Sequence, residues 1–104
     1  MLFLLDFNVE YSADMTQNDL FKILVDEAGA ALGAKEAGVV VDLWKCVGER
    51  RVVAVVKVDS PDTLDQILFT LPIMKEMGQH VHVKVNALRR YEDFAADVKK
   101  WHEE

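Results

Sequence analysis

Residues 39–58, VVVDLWKCVGERRVVAVVKV, constrain the fold more than any other stretch of this chain. Two runs rich in valine stand on either side of Gly48 and Glu49, which are turn residues. This pattern is typical of a β-hairpin, because β-branched side chains favour extended backbone and glycine permits a tight reversal. We therefore predict two antiparallel strands, and the elements before and after them decide which sheet they join.

The residues before the hairpin predict a strand and then a long helix. Residues 2–9 form an apolar-rich run, and Thr16 with Asp19 has the spacing of a capping box, so a helix should begin at Gln17. Gly38 can adopt the left-handed conformation that ends a helix. Apolar residues recur along this helix at helical spacing: Leu20, Leu24, Ala28, Ala31 and Leu32.

The residues after the hairpin repeat this order. Ser60 and Pro61 provide an N-cap and a first-turn proline, and Pro72 should end the second helix. We predict an irregular link over residues 73–79, followed by a strand over residues 80–88, HVHVKVNAL, in which polar and apolar residues alternate.

The element order is therefore strand, helix, strand, strand, helix, strand, which is the split βαβ arrangement of ferredoxin-like α+β folds. Right-handed crossovers predict a four-stranded antiparallel sheet in the order 4-1-3-2, with two helices on one face. Residues 91–104 repeat Phe94, Val98 and Trp101 at helical spacing. This narrow stripe has little stability alone. We expect a domain over residues 1–90 and a C-terminal helix over 91–104 that packs on a neighbouring subunit.

The last strand carries histidine and lysine on the face opposite its valines, beside a polar face of the first strand. We interpret these charges as fixing the partner and register of a dimer whose sheets close into a barrel. A two-histidine metal site is the alternative, but no third histidine ligand is near, and we predict no metal. The residues concerned are Asp6, Asn8, Glu10, His80, His82 and Lys84.

Composition excludes some partners and favours others. A net charge of −6 and a pI near 5.0 disfavour nucleic acid and anionic lipid, and the pair Arg50 and Arg51 is at most a site for a small carboxylate. An apolar fraction of 51% favours a homo-oligomer. The lone Cys46 suits a reducing cytoplasm, and the opening MLFLL, interrupted by Asp6, is too short for a signal peptide or a membrane span.

Several short motifs are spread over the first 72 positions. They are MLF at the start, Asp14-Met15, Asp26-Glu27, Gly38, Leu43-Trp44, Gly48, Ser60 and Leu71-Pro72. Together these motifs resemble the muconolactone isomerase family of small ferredoxin-like proteins in aromatic catabolism. The resemblance implies a dimeric α+β barrel and a proton shift that moves the double bond of an unsaturated lactone, without a metal or organic cofactor.

Glu27 is the candidate base for such chemistry, because its helical position puts the carboxylate at the margin of the apolar stripe, where desolvation raises a pKa. The alternative interpretation is that Glu27 only lies beside the core and that solvent surrounds its carboxylate. Trp44 is a candidate wall for a flat substrate, or plain core, with Lys45 facing the other way. Met74 and Met77 are candidates to shape an apolar pocket, or they fill space.

Leu4 and Asp6 depart from the resemblance, since the isomerases carry basic residues there, and an apolar or acidic side chain cannot bind a substrate carboxylate in the same way. The first hypothesis is an isomerase or related acid/base enzyme acting on a small unsaturated lactone or ring acid. The second is a binding or assembly protein of the same fold without chemistry. The third is a cofactor-free monooxygenase.

Overall fold

The strands and helices follow one another in the order that the sequence predicts, and there is one additional helix. The computed structural model describes residues 1–11 and 13–103. The elements are β1 (Leu2–Val9), α1 (Gln17–Glu36), β2 (Val40–Lys45), β3 (Arg51–Lys57), α2 (Pro61–Thr70), α3 (Pro72–Met77), a 3₁₀ turn (Gly78–His80), β4 (Val81–Leu88) and α4 (Tyr91–Glu103).

The four strands form one antiparallel sheet in the order β2-β3-β1-β4, which is the predicted order. In β1 and β3, the residues that face the helices are buried or half-buried, and the most buried are Phe3, Leu5, Ala54 and Val56. The opposite face of the sheet carries the other residues of each strand, because side chains alternate along a strand. We call this second surface, which no helix of the described residues covers, the open face.

Local capping signals set the helix boundaries. The Thr16 hydroxyl accepts a hydrogen bond from the Asp19 N–H at 3.1 Å, and the Asp19 carboxylate accepts one from the Thr16 N–H at 3.0 Å. This capping box satisfies two amides that a helix start leaves free. At the other end Gly38 has φ of 85°, a conformation that glycine adopts without steric cost. The predicted start and end of α1 are thereby confirmed.

The prediction of an irregular link over residues 73–79 is wrong. Pro72 ends α2, but it is also the first residue of α3. A proline at a first helical position loses no hydrogen bond, because that N–H has no partner inside the helix. Leu71 between the two helices is extended, with φ of −65° and ψ of 136°, as the residue before a proline prefers. The proline therefore separates two helices.

Two buried clusters hold the helices on the sheet, and both lie on its helix-facing side. Phe7, Leu71 and Val83 are half-buried and touch both clusters. The first cluster joins the sheet to α2, and the second joins α1, α3 and β4. The buried members of the first are Phe3, Leu5, Ala54, Val56, Val58, Leu64 and Leu68, and those of the second are Leu20, Ile73, Met77 and Val81.

The C-terminal segment forms the expected helix, α4. None of its residues is buried, and its apolar positions remain 40–74% exposed: Tyr91, Phe94, Val98 and Trp101. The Arg89 guanidinium pairs with the Asp97 carboxylate and so ties α4 to the end of β4. The stripe that the sequence predicts is therefore present, and nothing in the described part of the chain covers it.

Candidate functional site

Small residues on α1 leave a cavity between this helix and the sheet. The helix contributes Ala28, Ala30, Ala31 and Ala34 to its wall, together with Leu24, Glu27 and Leu32, so most of the lining residues of this helix have short side chains. The cavity measures about 400 Å³. Most of its remaining wall consists of leucine, isoleucine and valine from the sheet, α2 and α3. Of the described residues that line it, only Glu27 and Lys45 are ionisable.

Glu27 is half-buried on α1, and its Oε2 accepts a hydrogen bond from the Ile73 N–H at 3.1 Å. Ile73 belongs to the first turn of α3, where backbone amides lack helical partners. The cap residue of that helix is Leu71, whose side chain cannot accept a hydrogen bond, and none is present there. Glu27 therefore supplies, from another helix, the acceptor that the local sequence lacks.

The environment of Glu27 favours its protonated form. Burial raises the pKa of its carboxyl above the ordinary value of 4.5, and the hydrogen bond from the Ile73 N–H offsets part of that rise. Its second oxygen, Oε1, has no hydrogen-bond partner among the described residues. One oxygen is thus anchored to α3, while the other is free for a ligand. The position expected for Glu27 from sequence is the observed one.

A β-bulge decides which residues of β2 face the cavity. The pairing of β2 with β3 shifts between Val40 and Asp42, so the alternation resets before the aromatic residue. Trp44 then pairs with Val53 on the open face, whereas Lys45 pairs with Val52 on the helix side. Trp44 borders the cavity at the β2 edge, but its register turns the indole outward, and the side chain is 53% exposed.

The two methionines lie behind the cavity wall. Met77 is 1% exposed and belongs to the second buried cluster, and Met74 is half-buried against the same cluster. Neither lines the cavity, although both pack around Ile73, which does. They therefore support the segment of α3 that holds the Glu27 carboxylate.

A groove of about 650 Å³ continues from the cavity, and sequence reasoning missed it. It lies where the β2–β3 turn approaches the first turns of α1, and its lining includes Tyr11, Lys45 and Arg50. The Arg50 guanidinium stacks over the Tyr11 ring at 3.8 Å. The adjacent arginines at 50 and 51 were the sequence feature that could have indicated this groove. The sequence does not show which of the two arginines lines it.

The polar open face has the predicted register. Asp6 pairs with Lys84 and Asn8 with His82 across β1 and β4. The Asp6 carboxylate binds Arg51 through two hydrogen bonds of 2.9 and 2.7 Å, and this guanidinium lowers the pKa of the carboxyl. Among the described residues, no three His, Cys, Asp or Glu side chains are grouped so that they could hold a metal ion.

Comparison with known structures defines the class of this molecule. A crystal structure of muconolactone isomerase superimposes with a TM-score of 0.72 at 26% identity, covering 86% of this chain and 90% of that one. A 5-chloro-2-hydroxyhydroquinone dehydrochlorinase from Burkholderia phenoliruptrix AC1100, solved with 2,5-dihydroxybenzoquinone, gives 0.62 at 14% identity over 86% and 95%. At that identity the second likeness concerns the fold alone. The molecule is a ferredoxin-like α+β protein with a small-molecule-sized cavity between helix and sheet.

The family follows from the sequence match. The model of the muconolactone delta-isomerase family matches residues 1–93. The chain therefore belongs to the muconolactone delta-isomerase family, as its resemblance indicated. No curated protein matches it. None of the described helices is long and apolar enough to cross a membrane.

Proposed function

We propose that this protein is a cofactor-free acid/base enzyme of aromatic catabolism that moves a proton on a small unsaturated lactone or ring acid, with Glu27 as the proton carrier. One observation carries the proposal: a half-buried carboxyl with a raised pKa stands on the wall of an apolar cavity of about 400 Å³. Membership of the muconolactone delta-isomerase family supports the reaction class.

The geometry suits a proton shuttle at one carboxyl group. In the ionised state, Oε1 of Glu27 removes a proton from the carbon at one end of an allylic unit conjugated with the lactone carbonyl. The electron pair moves onto the carbonyl oxygen as a dienolate, and the same carboxylic acid returns the proton at the other end. Anchoring of Oε2 to the Ile73 N–H keeps the carboxyl in one orientation between the two transfers.

The apolar wall assists the same step. A carboxylate removed from water is a stronger base, and a raised pKa brings it closer to neutrality, where general-base catalysis is most effective. The cavity has room for one small ring. Trp44 contributes the edge of the wall at β2, and Met74 and Met77 hold Ile73 in place, so the three enter the proposal in supporting positions.

The decisive test is the rate of muconolactone isomerisation by wild type and Glu27→Gln. The glutamine keeps an oxygen that accepts from the Ile73 N–H, so the cap of α3 survives while the base is lost. We expect kcat to fall roughly a hundredfold or more. Asp26→Asn is the matched control, because Asp26 is an exposed carboxylate on the same turn that lines neither the cavity nor the groove. It should keep wild-type activity.

The pH profile provides a second readout. Because the base must be ionised, kcat/KM should rise with pH through the raised pKa of Glu27, above its ordinary 4.5. Full activity in Glu27→Gln would contradict the proposal that Glu27 carries the proton.

The alternative would then be a binding or assembly protein of the same fold. The ion-paired Asp6 and the apolar Leu4 on β1 support this alternative. A small acid that raises the melting temperature without turnover identifies a binding protein.

We also propose that the working unit is a homo-oligomer. The apolar side chains of α4 are exposed, and so is Trp44 on the open face, and grouped exposed apolar residues usually mark an interaction surface. The C-terminal helix α4, which the structure describes over Tyr91–Glu103, would then pack on a neighbouring subunit. Sedimentation equilibrium of wild type against Phe94→Ser/Trp101→Ser tests this: the variant should dissociate to smaller species, and an unchanged mass would contradict it.

A further inference from the structure

The cavity beneath α1 is larger than the lactone ring that the proposed function places in it. Its volume of about 400 Å³ corresponds to roughly a dozen water-sized groups. A five-membered lactone with its carbonyl oxygen supplies about half of that number of heavy atoms. Room for roughly six further carbon atoms therefore remains beside the ring.

The spare volume extends along α1 towards the C-terminal end of the helix. Glu27, Ala31 and Ala34 follow one another at helical spacing on the face that lines the cavity. At about 1.5 Å of rise per residue, the turn of Ala34 lies roughly 10 Å beyond the turn of Glu27. The start of β2 lies against this end of the helix, where the Val39 N–H donates to the Ala34 carbonyl at 3.0 Å. We call this end of the cavity the distal lobe, and its lining includes Ala34, Val39, Val40 and Val56.

The walls of the distal lobe consist of hydrocarbon side chains. Val40 pairs with Val56 across β2 and β3, and Val56 is buried. The two ionisable residues among the described lining of the cavity lie outside the lobe, since Glu27 is two turns earlier on α1 and Lys45 is at the other end of β2. A polar substituent in the lobe would lose its hydrogen bonds to water without gaining others. The lobe therefore favours a hydrocarbon group.

We infer that this protein acts on lactones or ring acids that carry an alkyl substituent, and that the distal lobe binds the alkyl chain. The inference rests on the proposed function, which places the ring beside Glu27. The spare volume limits the chain to roughly six carbons. Ala34 is then the residue of α1 that determines this specificity, because its short, half-buried side chain keeps the lobe open.

A series of saturated γ-lactones tests the inference separately from catalysis. γ-Valerolactone, γ-heptalactone, γ-nonalactone and γ-undecalactone share one uncharged ring and carry methyl, propyl, pentyl and heptyl chains. Without a ring double bond they cannot be isomerised. Ligand-observed NMR titration of the full chain measures each dissociation constant. Affinity should rise about fourfold for each buried methylene up to the pentyl chain, and it should level off between pentyl and heptyl.

A substitution in the distal lobe then assigns the chain to it. Ala34→Leu places three more carbons in the lobe. It should weaken γ-nonalactone by about tenfold or more and leave γ-valerolactone within about twofold of wild type. Ala37→Leu is the matched control, because Ala37 is exposed at the end of the same helix and lines neither the cavity nor the groove. It should keep the wild-type series, and circular dichroism confirms that each variant is folded.

The outcomes separate the two proposals. Equal affinity along the wild-type series overturns the inference, and it is the result expected if a neighbouring copy already fills the lobe. Failure of every lactone to bind, or a series that Ala34→Leu leaves unchanged, also overturns the inference. None of these results removes Glu27 as the base. A chain-length dependence that Ala34→Leu abolishes, in a protein whose Glu27→Gln variant keeps full activity, supports the distal lobe and contradicts the proposed proton carrier.

Discussion

Filling the cavity from α1 should stabilise the protein and abolish ligand binding together. Ala31 is half-buried, lines the cavity and lies one turn after Glu27 on the same helix face. Ala31→Leu adds three carbons. At about 0.8 kcal/mol for each buried carbon, less about 0.5–1 kcal/mol of side-chain entropy, the gain in unfolding free energy is about 1–2 kcal/mol.

The volume permits this substitution without overpacking. The cavity of about 400 Å³ corresponds to roughly a dozen liquid water molecules, far more than one added side chain occupies. Urea denaturation followed by circular dichroism measures the change. Ala37→Leu is the control, since Ala37 is exposed at the C-cap of α1 and lines neither space, and it should stay within about 0.5 kcal/mol of wild type.

Two results would refute the reasoning. A loss of about 1 kcal/mol or more in Ala31→Leu would mean that the helix and sheet already meet there. Unchanged isomerisation of muconolactone by Ala31→Leu, with the expected stabilisation, would mean that the ring binds elsewhere. The prediction therefore requires two results together: Ala31→Leu must unfold at a higher urea concentration than wild type, and it must bind ligand more weakly.

The remaining predictions concern stability, and urea denaturation measures each. Leu20→Ala should cost about 2–5 kcal/mol, because Leu20 is 1% exposed and anchors α1 in the second cluster; a cost below about 1 kcal/mol would contradict that anchoring. Thr16→Ala should cost about 1 kcal/mol through the lost capping box, and Thr16→Ser should restore most of it. Asp6 has a lowered pKa, so its contribution is present above pH 3.8 and is lost as the pH falls through its folded-state pKa. Glu27 has the opposite shift, so its contribution is largest below pH 4.5 and declines as the pH rises through the raised pKa. Asp6→Asn and Glu27→Gln should each flatten the corresponding limb of the stability profile, and an unaltered limb would contradict the shift.

Much of the fold was accessible from sequence because its signals are local. Thr16 with Asp19, and Ser60 with Pro61, specify helix starts through contacts three residues apart or fewer. The element order, combined with the handedness of crossovers, then leaves one strand order, and the structure has it. The helix α3 was missed because Pro72 ends one helix and begins the next, and a helix-stop signal does not exclude a restart.

The sequence did not predict which side of the sheet each residue of β2 faces. Alternation correctly puts Trp44 and Lys45 on opposite sides of the strand, but it does not say which side each one takes. The bulge between Val40 and Asp42 decides that, and it forms only when β2 pairs with β3. The lysine consequently lies on the helix side beside the cavity, and the tryptophan lies on the open face.

The sequence by itself determined the helix starts, the strand pattern and the apolar stripe that brings Glu27 to the edge of the core, because these depend on neighbours within one or two turns of chain. Only the tertiary structure decided what Glu27 does there. Its bond to the Ile73 N–H joins residues 46 apart, and its cavity exists because small α1 side chains are held over a sheet whose residues come from four separate strands. Desolvation and long-range hydrogen bonds act between segments that only folding brings together, so they leave no periodic trace in the chain.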